Sequence, residues 1–260
     1  MTRIHAAFKG AKDRGGALII YLTAGDPSLE VTGELVLAAE RGGADLVELG
    51  IPYSDPIADG PTIQAAGQRA LAAGTTVAGV LECVGRVRSA SDLPLVIMTC
   101  YNPILQFGPE EFAQAAAARG LDGVLVSDLP PRESDRWCQA AAEHGLGTVF
   151  LVASTNDDEF IDEAVARTTG FCYVISRPGV TGARDDLPSG LGEFVTHVKT
   201  RTELPVAVGF GISRAEHVRQ VLSVADGAVV GSAIVEIIAG GNEDGMLPGR
   251  VEEAVRSLRR

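Results

Sequence analysis

Eight short apolar runs, separated by stretches of helical length, constrain this chain more than any other feature of its sequence. They span residues 17–23, 46–50, 95–100, 123–127, 148–152, 172–176, 206–209 and 228–231. A strand with one wet face alternates between apolar and polar residues. These runs are continuously apolar, which predicts parallel strands covered by helices on the outside. The intervening segments predict helices over 29–41, 62–73, 77–89, 109–119, 132–144, 157–168, 187–199, 213–222 and 251–258. Pro109, followed by Glu110 and Glu111, marks one helix start, and Ser213 before Arg-Ala-Glu reads as a capping box at another. Eight strand–helix units in 260 residues predict an α/β fold of the (β/α)8 TIM-barrel class, with residues 1–260 forming a single domain. A doubly wound open sheet would carry G-x-G-x-x-G after its first strand. Here that strand runs into Thr23-Ala24-Gly25-Asp26-Pro27, and Gly209-Phe210-Gly211 lacks the third glycine.

Charge narrows the function. Lys and Arg number 22 against 34 Asp and Glu, a net charge of −12. Binding a duplex needs clustered positive charge, so general nucleic-acid binding is not expected, while a small anion pocket is still open. The longest apolar runs, such as 17–22 and 225–230, fall well short of the roughly 18 residues that span a bilayer. Charges scattered over residues 1–16 leave no apolar core for a secretory signal. Cys83, Cys100, Cys138 and Cys172 form no C-x-x-C pair, and His5, His144, His197 and His217 share no metal-ligand spacing. The expectation is a cytoplasmic chain with reduced thiols, no metal and no membrane contact.

A barrel places its chemistry at the carboxyl ends of its strands. After the second run come Glu48 and then, at the end of a loop stiffened by prolines, Asp59. A carboxylate facing the barrel mouth is partly desolvated, which raises its pKa and suits it to proton transfer near neutral pH. Glu48 is therefore the candidate acid/base; the alternative is a structural Glu paired with a base. Two carboxylates in one unit suggest divided roles, one carrying a proton and one held ionised. Asp59-Gly60 is equally a common turn pair, and Asp55 before Pro56 favours a turn. The seventh and eighth runs end in Gly209-Phe210-Gly211-Ile212-Ser213 and Gly231-Ser232-Ala233, each leading into a helix. Glycine lets a phosphate approach backbone N–H groups at a helix N-terminus, without Lys or Arg. Plain turns are the alternative. The loop after the sixth run, from Ser176 through Thr181 and Gly182, reads as a lid, with those last two residues as candidate ligand contacts. Tyr21, Thr23, Met98, Leu125, Leu151, Tyr173 and Phe210 would line an apolar mouth suited to a flat aromatic group beside a phosphate.

The motifs ELGIPYSDPIADGP (48–61), YLTAGDP (21–27), SRPGVTG (176–182), GFGIS (209–213) and GSAIV (231–235), taken in order, resemble the tryptophan synthase alpha chain family over nearly the whole sequence. The resemblance implies a (β/α)8 barrel that cleaves indole-3-glycerol phosphate to indole and glyceraldehyde 3-phosphate without metal or organic cofactor. It implies Glu48 as proton shuttle at indole C3 and Asp59 as the anion beside the indole N–H. Gly182, Gly211, Gly231 and Ser232 would hold the phosphate, and Tyr173 would stand beside Glu48. It also implies a pyridoxal-phosphate beta chain as partner, in an alpha-beta-beta-alpha tetramer, with Asp55 and Pro56 facing it. A stand-alone lyase releasing free indole is the alternative. One departure is local: the family often has an aromatic residue where this chain has Cys100.

Overall fold

The computed structural model describes residues 1–57, 59–176, 189–209, 211–242 and 245–260. Its strands are β1 (Ala17–Thr23), β2 (Leu46–Gly50), β3 (Leu95–Thr99), β4 (Gly123–Val126), β5 (Gly147–Val149), β6 (Leu151–Ala153), β7 (Cys172–Ile175), β8 (Val206–Gly209) and β9 (Gly227–Val230). The helices are α1 (Arg3–Ala11), α2 (Leu29–Gly42), α3 (Pro61–Ala72), α4 (Val77–Arg88), α5 (Tyr101–Phe107), α6 (Pro109–Ala118), α7 (Asp135–Glu143), α8 (Asp158–Arg167), α9 (Leu191–Lys199), α10 (Ala215–Leu222), α11 (Ser232–Ala239) and α12 (Leu247–Leu258).

All pairings are parallel, and the order β5-β4-β3-β2-β1-β9-β8-β7-β6 brings the chain round on itself. The predicted fifth run is two short strands: β5 pairs with β4, β6 pairs with β7, and only Phe150 separates them. Nine strands therefore occupy the eight positions of a (β/α)8 barrel. None of the described helices is by itself long and apolar enough to cross a membrane.

Alternation, hidden in the sequence because both faces are buried, sorts each strand. Leu18, Ile20, Val47, Leu49, Ile97, Val124, Val174 and Val208 point outward into one core shared with the helices. Ile19, Leu46, Val96, Leu125, Val149, Tyr173, Ala207 and Val229 point inward and fill the barrel. The inner cluster also takes in Ile4, Phe8 and Ala11 of α1, so this helix closes the amino-terminal mouth. Its apolar residues stand at i, i+4 and i+7, one face of a helix.

Three aspartates repeat one device at that closed end. Asp45, Asp122 and Asp226 stand immediately before β2, β4 and β9. Their carboxylates accept N–H bonds from Leu18 (2.8 Å), Leu95 (2.9 Å) and Val206 (2.9 Å) on the neighbouring strands. Asp122 also holds Arg88 at 2.7 Å and Arg3 at 3.1 Å. Asp122→Ala strands the largely buried Arg88 guanidinium and the Leu95 N–H together. It is expected to cost about 3 kcal/mol, read as a lower urea midpoint, because removing one partner leaves a buried charge uncompensated.

Three predicted helix starts move: the helix expected over 251–258 is α12, which begins at Leu247. Ser213 caps nothing: α10 begins at Ala215 after Arg214, with no side-chain cap. The predicted helix 132–144 is a 3-10 turn (Pro131–Glu133) followed by α7, broken at Ser134, whose buried hydroxyl donates to Pro131 O at 2.8 Å. Helices α1, α5 and α11 lie outside the predicted set. For α5 the start signal is not local, since Asp128, 27 residues away, accepts the Tyr101 N–H at 2.6 Å.

Candidate active site

The register of β1 and β2 sets Tyr21 beside Glu48 and Thr23 beside Gly50. Glu48 follows Leu46 in the inward-facing set, so its side chain enters the barrel. It is 1% exposed, and neither carboxylate oxygen has a hydrogen-bond partner among the described residues. A buried, unpaired carboxylate disfavours its charge, and burial pushes Glu48 up to about 8, with the charge of Asp59 adding to it. The neutral acid is therefore the main form at pH 7. A structural ion pair is excluded among the described residues.

Asp59 lies on the irregular stretch between β2 and α3, partly buried, and burial raises its pKa too. Its backbone carbonyl accepts from Gln64 Nε2 at 2.8 Å, which ties it to the first turn of α3. Tyr21 and Tyr173 flank the carboxylates. Both phenols titrate far above their ordinary range, first because they are buried. For Tyr21 the next cause is the charge of Asp59, and for Tyr173 the charge of Glu48. Both therefore keep their protons at any working pH.

Two glycines make room for these rings. A Cβ on Gly50 would lie 2.0 Å from the Tyr21 hydroxyl, and one on Gly209 would lie 2.1 Å from the Tyr173 hydroxyl. The sequence marks both as strand ends. Their function as slots for the neighbouring phenols needs the register.

A cavity of about 530 Å³, its open mouth included, is lined by Tyr21, Asp59, Ile63, Met98, Tyr173, Gly211, Ile212, Ser213, Val229, Gly231 and Ser232. At one end Gly211 (φ +86°) and Gly231, which precedes α11, present backbone to the space. The first N–H groups of a helix have no intrahelical acceptor, and the helix dipole makes that end electropositive. This end fits an anion; the other, with Ile63, Met98 and the two tyrosines, fits an apolar ring. A second, smaller cavity shares Tyr21, Met98 and Asp59 and continues past Pro56 and Tyr53 to Cys100 and Ser127.

The structure thus gathers Tyr21, Asp59, Met98, Tyr173, Gly211, Gly231 and Ser232 around one space, with Glu48 buried among the inward-facing residues of the same barrel. It places Leu125 elsewhere. This residue is fully buried in the inner layer with Val96 and Val149 and is absent from the cavity lining, because a strand-four side chain at that height meets packing, not the mouth. Thr181, Gly182 and Phe210 lie outside the described residues, as does the proposed lid around them. Asp55 is exposed, with Ser54 Oγ donating to it at 2.5 Å, and the adjacent Ile57 is 80% exposed. Ile63 and Val229 also line the cavity, as do Ile212 and Ser213 of the glycine turn, none of them among the candidate contacts read from the sequence. Only Ser213 carried a signal, since it follows a glycine turn at a strand end. Among the described residues no group of three or more His, Cys, Asp or Glu side chains could hold a metal ion.

Fold and site together define a (β/α)8-barrel enzyme with a buried neutral carboxyl group, a second carboxylate near it and a cavity lined at one end by glycines. Residues 8–258 match the family described as tryptophan synthase alpha chain, and the chain belongs to that family. It is 46% identical to the tryptophan synthase alpha chain of Solibacter usitatus over 261 residues, covering 100% of this chain and 98% of the relative. Against that of Geobacter sulfurreducens the identity is 46% over 238 residues, covering 91% and 90%. Among solved structures it is similar to Mycobacterium tuberculosis tryptophan synthase (TM-score 0.90, 36% identity, covering 100% and 99% of the two chains). It is also similar to a chain of the tryptophan synthase a2b2 complex of Pyrococcus furiosus (TM-score 0.87, 42% identity, covering 94% and 97%).

Proposed function

We propose that this chain cleaves indole-3-glycerol phosphate to indole and glyceraldehyde 3-phosphate, as the alpha subunit of a tryptophan synthase. The observation that carries the reading is Glu48, a buried carboxyl group without a partner among the described residues and neutral at pH 7, in the same barrel as a cavity with a carboxylate on its wall and an anion cradle at its end.

In this reading the substrate phosphate sits on the backbone at Gly211, Gly231 and Ser232. The indole ring lies between the tyrosines, its N–H toward Asp59. Glu48 gives its proton to C3 of the ring, which turns the indole into a cationic indolenine, and Asp59 stabilises that charge. Glu48, now a carboxylate, takes the proton from the hydroxyl next to the scissile bond. The carbon–carbon bond breaks toward C3, its electron pair restores the aromatic ring, and the aldehyde forms. Glu48 ends protonated again, carrying the hydroxyl's proton while its original one stays on C3 of the product indole, so no other acid or base is consumed.

The Ser54–Ile57 stretch, exposed at Ser54, Asp55 and Ile57, lies on the same loop as Asp59 and is the surface on which a beta chain would bear, in an alpha-beta-beta-alpha assembly. A partner that orders this loop fixes Asp59. A tenfold change in the closed-to-open ratio needs about 1.4 kcal/mol. Indole release from indole-3-glycerol phosphate is therefore expected to be slow for the isolated chain and at least about tenfold faster with a cognate beta chain, a gain of about that 1.4 kcal/mol. Equal rates in the two assays would favour a stand-alone lyase.

A further inference from the structure

The described residues of the loop that carries Asp59 form no helix or strand, so contacts outside the loop bear on where that carboxylate stands. Two links do so in series. Gln64 Nε2 donates to the Asp59 carbonyl at 2.8 Å and fixes Asp59 to the start of α3. Further along the same helix, Arg69 forks onto Asp26, with Nε to Oδ1 at 2.8 Å and Nη2 to Oδ2 at 2.7 Å. Asp26 lies three residues past the end of β1 and is 2% exposed. Its loop is itself anchored, to the barrel where Ala24 N donates to Gly50 O at 2.9 Å and to α2 where Gly25 N donates to Thr32 Oγ1 at 2.9 Å. Ile63 and Ala66 of α3 pack with Tyr21 and Val235. That apolar contact resists separation of helix and sheet, yet it resists sliding along the helix axis poorly, because dispersion has little direction. The bidentate fork is directional, and its fixed geometry sets the axial position of α3. Neither Asp26 nor Arg69 lines the cavity.

We propose that the Arg69–Asp26 pair is a positioning device for Asp59: it holds α3 at one height on β1, and α3 in turn holds the Asp59 carboxylate at the indole side of the site. The proposal rests on the reading of Asp59 given above. Arg69 touches no substrate and acts only through Asp59.

The test is a double-mutant cycle on indole-3-glycerol phosphate cleavage by the full chain with its beta chain. Arg69→Met is expected to lower kcat about tenfold with KM within about twofold, and to have almost no effect when added to Asp59→Asn, since coupled residues are non-additive. Arg69→Lys keeps a charge beside Asp26 and loses only the fork. It carries the test should Arg69→Met not fold, with an expected loss of about threefold that also vanishes in the Asp59→Asn background. The pH profile gives an independent readout. Glu48 is faced by Asp59, Tyr21 and Tyr173, and of these only Asp59 raises it by charge at neutral pH. Moving Asp59 away brings the alkaline limb of the Arg69 variants to lower pH. Arg69 losses that multiply fully with that of Asp59→Asn, or an unmoved alkaline limb, overturn the proposal alone. An Asp59→Asn chain that cleaves at the parent rate overturns the role of Asp59 and this proposal with it.

Discussion

Glu48→Gln lowers the rate of indole-3-glycerol phosphate cleavage by at least about 10²-fold and leaves the affinity for an unreactive substrate analogue nearly unchanged. The amide keeps the shape of the side chain and can neither give nor take the proton. A variant retaining near-native turnover excludes Glu48 as the shuttle. The same substitution has a second signature, in stability. The carboxyl group titrates near 8 in the folded chain and near 4.3 when unfolded. Between those values the folded state holds a proton that the unfolded state has lost. The contribution is thus fully present below about pH 4.3 and is lost as pH rises toward 8, by at most about 1.4 kcal/mol per pH unit. Glu48→Gln removes this slope, so urea midpoints of variant and parent should diverge from pH 5 to pH 8, with the variant the more stable at pH 8. Parallel midpoints would mean that Glu48 is not held neutral.

Asp59→Asn is expected to cost about 10²-fold to 10³-fold in kcat, the usual worth of one preorganised electrostatic group aimed at developing charge. The cationic indolenine loses its counter-charge while the ring still fits. The variant also changes the behaviour of Glu48. The charge of Asp59 is the second cause of the raised Glu48 pKa, so its removal lowers that pKa. With neutral Glu48 as the reactive form, kcat/KM falls on the alkaline side as Glu48 ionises, and this limb moves to lower pH in Asp59→Asn. Loss of rate with an unmoved limb would separate the two carboxylates electrostatically. Stable circular dichroism across the series keeps both readings about chemistry.

The barrel was legible because eight continuously apolar runs have few other uses. What the runs conceal is direction. Val47 and Glu48 look alike as members of an apolar stretch, and only closure of the sheet sends one outward to the helices and the other into the barrel interior. The same concealment misplaced Leu125, whose strand and height on the barrel give it packing partners in place of the mouth. Helix α11 was hidden for a related reason: Ser-Ala-Ile-Val-Glu-Ile-Ile-Ala has almost no polar face and reads as buried strand or loop. Helix α5 takes its cap from Asp128, and the Gly50 and Gly209 slots are defined by tyrosines on neighbouring strands. These are relations between distant positions, which local propensity does not encode. Glu48, Asp59 and the glycine turns were legible because carboxylates and glycines at the ends of barrel strands have a narrow set of uses.

Helix α1 fills the amino-terminal mouth with Ile4 and Phe8, and the inward layers above it are packed solid. Among the described residues the amino-terminal end is thus filled, and the cavity lies toward the carboxyl ends of the strands. Whatever enters and whatever leaves shares the rim formed by the loops at the carboxyl ends of the strands. The two products of a cleavage inside it would share that rim. A second protein that collected indole before it reached solvent would sit at that rim, where the next substrate would also enter.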